Sequence, residues 1–234
     1  MSSNTINETS DIDVTAIDDS KGSKDSDQSS QSLNNLDSLS HYLKSSAGTR
    51  QGRSIPPLDK WQPEQTIDMD LVIKANGEWW HEGVMVTRQS LISLFATVLW
   101  KEQTNDTTEY FLKTPVQKLR IQVEDVPLLI NDVGIVTEEG VSWLEFTTMT
   151  GDVVRLDNEH PIELRLYKPG TPQKETAKEQ VRPYMLVRNG LTALIGRNTF
   201  YHLTEIGQLT EQNDKVILTL QSGGQSYQLL MPDN

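Results

Sequence analysis

Cysteine is absent from the 234 residues of the chain, and other features that would indicate particular classes of protein are missing as well. Without cysteine there can be no disulfide framework, no thiolate zinc site and no cysteine nucleophile. No apolar run approaches the roughly 18 residues of a membrane-spanning helix, and the N-terminus lacks the basic and apolar regions of a secretory signal. The four histidines lie in four separate segments, which argues against a metal centre. We therefore expect a cytoplasmic protein without a bound metal and without a membrane partner.

Positive charge is also scarce. The chain has 21 Lys and Arg residues against 33 Asp and Glu residues, a net charge of −12, and a pI of about 4.8. Because binding to a phosphate backbone depends on clustered cations, polymeric nucleic acid is not an expected partner. A small anionic ligand, such as a nucleotide, needs only one or two cations and is compatible with this composition.

The first 54 residues differ from the rest of the chain. Residues 1–32 contain seven acidic residues, two basic residues and no aromatic residue. Such a segment buries too little apolar surface to offset its chain entropy, so we predict a disordered acidic tail, with a weak docking motif as the alternative. Residues 33–54 are predicted to form an N-terminal helix and a loop, because leucines recur at helical spacing over 33–44 and are followed by Gly and Pro.

From residue 55 the pattern is typical of an α+β fold. Alternating apolar residues predict short antiparallel strands in two units, 55–136 and 137–234. Asn76–Gly77 predicts a type I′ hairpin, and a helix is predicted after Thr87. In the second half we predict a short helix over 189–195, stopped near Gly196, and a strand over 199–203.

The two halves resemble each other in sequence. VTRQSLISLF at 86–95 resembles LVRNGLTALI at 186–195, which places Arg88 over Arg188 before the two predicted helices. Three other segments, 69–77, 109–114 and 118–125, resemble 151–159, 199–204 and 215–222 in the same order. This predicts a duplicated core whose two small units pack together, with the ligand site in the groove between them.

The candidate ligand-binding residues are those that the predicted fold brings to this groove. Arg88 and Arg188 lie beside predicted helix N-termini, where an anion is favoured and a guanidinium group can make bidentate phosphate contacts. Thr114 precedes a proline, which favours an extended conformation with a free hydroxyl. The alternatives are intramolecular ion pairs or solvent exposure for the arginines.

The phrase WWHEG at 79–83 supplies two further candidates, His81 and Glu82, at the margin of the groove. Adjacent strand residues face opposite sides, so the two side chains cannot chelate one ion in a regular strand. The structural alternative is a paired strand with a bend at Gly83.

We consider three classes of function. The first is a protein that binds a small anionic ligand and transmits a signal. The second is a Mg²⁺-dependent hydrolase of phosphate compounds that uses Glu124, Asp125 or His81, since paired carboxylates can bind Mg²⁺ or act in acid–base catalysis. The third is a protein-interaction module. The residues themselves specify neither a cofactor nor a protein partner.

Several longer phrases carry a resemblance to a known family. They are PPLDKWQP at 56–63, DMDLVIKANGEWWHEGVMVTR at 68–88, LISLFATVL at 91–99, YFLKTPVQKLRIQVEDVP at 110–127, DNEHPI at 157–162 and RPYMLVRNGLTALIGRNTFYHL at 182–203. In this order they resemble the bacterial family called domain of unknown function 1285, over roughly residues 55–230. The resemblance implies a duplicated α+β core, a second half superficially like a pleckstrin-homology domain, a nucleotide-type ligand at the interdomain surface and a role in signalling. It implies no particular reaction.

Overall fold

The computed structural model describes residues 35–46, 54–105, 107–169 and 179–231. The predicted tail at 1–32 lies outside these residues. In chain order the elements are α1 (Leu36–Ser46), a 3₁₀ turn (Leu58–Lys60), β1 (Gln65–Ile73), β2 (Trp79–His81), β3 (Val84–Met85), α2 (Gln89–Ala96), β4 (Leu99–Thr104), β5 (Thr107–Lys113), β6 (Gln117–Val123), β7 (Leu128–Glu138), β8 (Val141–Thr148), β9 (Val153–Arg155), β10 (Ile162–Tyr167), β11 (Gln180–Arg188), β12 (Leu191–Ile195), α3 (Arg197–Ile206), β13 (Gln208–Gln212), β14 (Lys215–Ser222) and β15 (Gln225–Leu230). The predicted N-terminal helix is present as α1.

Two six-stranded sheets form the body of the fold, and they have the same topology. The first has the strand order β3-β2-β1-β6-β5-β4, and the second has the order β9-β8-β7-β12-β11-β10. In each sheet the two central strands, β1 with β6 and β7 with β12, are parallel, whereas all other neighbours are antiparallel. If β7 to β12 are substituted in turn for β1 to β6, the two sheets are identical in order and direction. The prediction of a mixed α+β fold with duplicated units is therefore confirmed at this level.

The strands form where apolar residues alternate with polar ones. In β6, Leu119 and Ile121 are buried while Arg120 and Gln122 are exposed. In β12, Leu191, Ala193 and Ile195 are all buried at every second position. Most of the buried apolar side chains of both sheets, together with those of α1, α2 and α3, belong to one hydrophobic cluster that provides the main driving force for folding.

Two-residue turns connect several of the strands. Glu82–Gly83, Glu139–Gly140 and Asn189–Gly190 each have positive φ at both residues and join strands that pair antiparallel, as a type I′ turn requires. The predicted type I′ turn at Asn76–Gly77 is wrong, because only Gly77 of that pair has a positive φ, 86°. The predicted hairpin itself is present, since β1 and β2 pair antiparallel around a longer loop.

Two predictions for the second half are wrong. Residues 191–195, predicted as part of a helix, form the strand β12, and residues 199–203, predicted as a strand, lie in α3. In the second case Thr199 and Leu203 are both buried at helical spacing, so packing of this face decides the conformation despite residues of low helix propensity. In the first half, Arg88 rather than Thr87 is the N-cap residue of α2, and no side chain caps the helix.

With these elements corrected, different segments of the two units correspond to each other. All four sequence pairings are wrong, because they match β1 with β9, α2 with β12, β5 with α3 and β6 with β14. By topology β1 corresponds to β7, β5 to β11 and β6 to β12. The sheets divide between Val123 and Leu128, whereas the sequence analysis divided the units at 136/137, which falls within β7. The apolar alternation is similar before and after the linker at 124–127. The pattern alone therefore does not distinguish a linker between two sheets from a hairpin within one sheet.

Candidate functional site

Arg188 lies at the end of β11 and holds the two units together. Its Nε donates a hydrogen bond to Asp152 Oδ1 at 2.7 Å, and its Nη2 donates to the carbonyl oxygen of Ala96 at 2.6 Å. The side chains of Arg188 and Asp152 are only 13% and 3% exposed. Because Ala96 ends α2, the guanidinium group also lies at the negative end of that helix. This arrangement is the intramolecular ion pair that the sequence left open as the alternative to ligand binding.

Arg88 is in a different environment. It is exposed, and it makes no ion pair or hydrogen bond with its side chain among the residues that the structure describes. Arg88 precedes α2 whereas Arg188 contacts its last residue, so the two arginines lie at opposite ends of a helix about 12 Å long. They are not at equivalent positions of the two repeats.

Thr114 is fully buried and closes the turn between β5 and β6. Its hydroxyl donates to the carbonyl oxygen of Gln117 at 2.8 Å and accepts a hydrogen bond from the Gln117 amide at 3.1 Å. The hydroxyl predicted to face a groove is therefore used within the turn.

His81 and Glu82 belong to the β2–β3 hairpin. His81 Nδ1 lies 2.7 Å from the carbonyl oxygen of Asp70, and its Nε2 lies 4.0 Å from a carboxylate oxygen of Glu82. Glu82 has a φ of 48° in the turn and its side chain is 75% exposed. The geometry is that of a paired strand with a bend at Glu82–Gly83.

A large cavity lies elsewhere, between the β1–β2 hairpin of the first unit and the second unit. Its volume is about 930 Å³, within the range of sites for small molecules. None of the five predicted ligand-binding residues is among the described residues that line it, although Glu124, a candidate of the hydrolase alternative, is. The lining residues are Lys74, Ala75, Asn76, Glu78, Trp80, Glu124, Leu129, Leu164, Gln180, Val181, Arg182, Pro183, Leu194, Ile195, Gly196, Arg197, Phe200, Tyr201 and Met231.

One wall of the cavity is the first turn and a half of α3. Arg197, Phe200 and Tyr201 line it at positions i, i+3 and i+4, which lie on one face of a helix. Gly196 precedes the helix and packs closely, because a Cβ atom there would be 3.1 Å from the carbonyl oxygen of Ile130. This close packing fixes where α3 begins and thus where Arg197 is placed.

The opposite wall is the loop between β1 and β2. Gly77 has a φ of 86°, and an added Cβ atom would lie 2.9 Å from Leu129 Cδ2, so the loop rests directly on the second unit. Trp80 lines the cavity from β2, and its Nε1 donates to Glu78 Oε2 at 3.1 Å.

The linker between the two sheets joins these walls. Glu124 accepts hydrogen bonds from Lys74 Nζ at 2.7 Å and from the Ala75 amide at 3.0 Å. These bonds, mainly the one from Lys74, hold the pKa of Glu124 below its ordinary value. The next residue, Asp125, points to the second unit, where it accepts from Arg182 Nη1 at 3.0 Å and from the Tyr184 hydroxyl at 2.8 Å. Burial, followed by these contacts with Asp125, raises the pKa of Tyr184.

Charge is unevenly distributed around the cavity. The lining cations are Lys74, Arg182 and Arg197, and the lining anions are Glu78 and Glu124, so the lining carries a formal charge of +1 on a chain whose net charge is −12. Most of the other lining residues are apolar or aromatic. The arrangement can accommodate an apolar body and an anionic group together.

Arg197, Phe200 and Tyr201 are not among the predicted site residues, because residues 199–203 are predicted as a strand and in fact lie in α3. With a helix there, the spacing of Arg197, Phe200 and Tyr201 is the signal that groups them on one face. Trp80 belongs to the WWHEG phrase, but the candidate residues in that phrase are the polar residues after it, His81 and Glu82.

No group of three or more His, Asp or Glu side chains in the described segments has an arrangement that could hold a metal ion. No helix within them is long and apolar enough to cross a membrane.

Comparison with known families covers most of the chain. The model described as the N-terminal domain of DUF1285, a domain of unknown function, matches residues 56–126. The model described as the C-terminal domain of DUF1285 matches residues 127–229. No protein of curated function matches the chain significantly.

Two crystal structures are similar to this chain. A DUF1285 family protein from Silicibacter pomeroyi DSS-3 shares 30% sequence identity and a TM-score of 0.61, over 80% of this chain and 94% of that one. A DUF1285 family protein from Shewanella baltica OS155 shares 29% identity and a TM-score of 0.42, over 58% of this chain and 91% of that one.

Proposed function

We propose that this chain, which belongs to the DUF1285 family, binds a small anionic ligand between its two units. The description of the family names no activity, so the proposal rests on the cavity itself. The ligand has an apolar or aromatic body and an anionic group, as a nucleotide has. The observation that supports this most directly is a mostly apolar lining that includes Arg197, a cation without an ion pair among the described residues. Such a site concentrates small anions while the surrounding surface repels large polyanions.

The aromatic side chains provide surfaces for the body of the ligand. Trp80 approaches from the first unit, and Phe200 and Tyr201 approach from the second. Aromatic side chains can stack on the flat face of a base or of another ring. Arg197 then supplies the cation for the anionic group.

The position of the cavity supports a role in signal transduction. Its walls come from both units, so a ligand that fills it contacts both and favours the arrangement in which they are held together. We place this role in the cytoplasm. The likeness of the second unit to a pleckstrin-homology domain is part of the same proposal, supported by six strands followed by the helix α3.

The test is a thermal-shift screen with cyclic nucleotides and with nucleoside mono- and diphosphates, followed by calorimetric titration of those that raise the melting temperature. Replacing Arg197 with alanine should weaken binding by roughly 10- to 150-fold, equivalent to about 1.5–3 kcal/mol for the loss of one charge-assisted contact. Arg88→Ala is the matched control, because Arg88 is also an exposed arginine but lies outside the cavity lining. The proposal fails if no compound of this class binds, or if Arg197→Ala binds as tightly as the wild-type protein.

A further inference from the structure

We infer that the cavity selects ligands with a single anionic group, held by Arg197, and discriminates against chains of two or more phosphates. This inference rests on the proposed function and specifies the ligand class for the same site. It follows from the state of each cation that lines the cavity.

Lys74 is already neutralised by a carboxylate that also lines the cavity. Its Nζ lies 2.7 Å from Glu124 Oε1, and the other oxygen of Glu124 accepts from the Ala75 amide at 3.0 Å. A phosphate that approached Lys74 would meet Glu124 at almost the same distance. Like charges at such separations repel, so Lys74 offers little to a second anionic group.

Arg182 is neutralised in the same way and is also fixed in place. It donates to Asp125 Oδ2 at 3.0 Å and to Gln180 Oε1 at 3.3 Å, and its guanidinium carbon lies 3.6 Å from the centroid of the Tyr167 ring. The side chain of Asp125 is only 10% exposed. Removing Arg182 from this buried carboxylate to bind a ligand would cost more than the new contact returns.

Arg197 differs from these two cations. Of the cavity-lining cations in the described part of the chain, it is the one with no ion pair. Glu78 lines the cavity as well, and its carboxylate accepts the indole N–H of Trp80 rather than neutralising a cation. One anionic group can therefore be matched, and a second would lie near Glu78 or Glu124.

A displacement assay with 1-anilinonaphthalene-8-sulfonate tests this directly. The probe has one sulfonate on an aromatic body, so it should bind to the wild-type protein and bind more weakly to Arg197→Ala. Adenosine, AMP, ADP and ATP, with chelator present to remove Mg²⁺, then form a series of increasing negative charge on a constant base. We expect AMP to displace the probe best and ATP to need about a tenfold higher concentration.

Two variants test the cause of the discrimination. Glu124→Gln removes the charge that neutralises Lys74 and should reduce the preference for AMP over ATP. Glu78→Gln should also reduce the preference for AMP over ATP, because it removes the charge of the other carboxylate that lines the cavity. Glu205→Gln is the matched control, because Glu205 is exposed on α3 and outside the cavity lining. Melting temperatures of all variants show that each is folded.

The outcomes separate the inference from the proposed function. If neither the probe nor any nucleotide binds in a way that depends on Arg197, the proposed function itself fails. If nucleotides bind through Arg197 but ATP binds as tightly as AMP, only the selectivity for one anionic group is overturned. The inference is also overturned if both glutamine variants keep the wild-type preference.

Discussion

Replacing Arg188 with alanine should destabilise the protein strongly, although sequence analysis made this residue a ligand contact. The guanidinium group donates to Asp152 at 2.7 Å and to the end of α2 at 2.6 Å, and both partners of the ion pair are almost fully buried. The substitution leaves Asp152 in the interior after it has lost this cation. Breaking one side of a buried pair typically costs about 3–5 kcal/mol of unfolding free energy.

The structure favours the lower end of that range. Asp152 Oδ2 keeps hydrogen bonds from the hydroxyls of Thr148 at 3.2 Å and Thr150 at 3.1 Å, so part of its stabilisation survives. We therefore expect a loss of about 3 kcal/mol, which for a folded region of this size lowers the melting temperature by roughly 6–12 °C.

Thermal and urea denaturation, monitored by circular dichroism, measure this loss. Arg88→Ala is the matched control, because Arg88 is exposed and should change stability by less than about 0.5 kcal/mol. Asp152→Asn alone and combined with Arg188→Ala completes a double-mutant cycle that isolates the coupling of the pair. If Arg188→Ala loses no more stability than Arg88→Ala, the assignment of Arg188 as an inter-unit contact is refuted.

Two further predictions concern the walls of the cavity. Gly77→Ala should cost more stability than Gly83→Ala: both have positive φ, but only the new Cβ at position 77 meets Leu129, at 2.9 Å. Equal losses in urea denaturation would mean that the loop does not rest on the second unit. Glu124→Gln should flatten the acid limb of the stability curve. The pKa of Glu124 is lowered in the folded state, so its stabilisation is present above the ordinary value of 4.5 and is lost as pH falls below it. If the free energy of unfolding of Glu124→Gln falls between pH 7 and the acid limb as much as that of the wild-type protein, this prediction is contradicted.

The sequence was sufficient to predict elements whose signals are local. Alternating apolar and polar side chains predict a strand around 119–123, where β6 runs from Gln117 to Val123, and a strand over 162–167, which is β10. A strand predicted over 184–187 is present but longer: β11 begins at Gln180 and includes Pro183, although proline is disfavoured within a strand.

The errors arose where a local signal has two meanings. Asn189–Gly190 is a strong type I′ signal and joins β11 to β12, yet a helix over 189–195, stopped near Gly196, is what the sequence analysis predicts there. The five residues after it are also too few for a helix and alternate in burial. The turn chemistry of Asn189–Gly190 and the alternation after it therefore favour the observed hairpin.

The candidate site was less predictable than the fold because its residues are distant in sequence. The cavity draws on the β1–β2 loop, the linker at 124, β11, the start of α3 and Met231. No periodicity connects these segments, and only the three-dimensional arrangement brings them together. The general location, a groove between two repeated units, did follow from the inference that small units must pack against each other.

The duplication nevertheless explains the position of the candidate site, although the predicted equivalence of Arg88 and Arg188 is wrong. The corresponding strands β6 and β12, one at the centre of each sheet, end at Val123 and Ile195. The residues that follow are Glu124–Asp125 in the first unit and Gly196–Arg197 in the second, and Glu124, Gly196 and Arg197 line the same cavity. The residues that follow two corresponding strands thus meet at one groove, but they carry opposite charges there. In the first unit the acidic pair is the linker that neutralises Lys74 and Arg182, whereas in the second unit the chain continues into α3 and leaves Arg197 without an ion pair among the described residues. The asymmetry between the repeats, rather than their symmetry, therefore leaves Arg197 as the cation of the described cavity lining to which we propose that an anionic group binds.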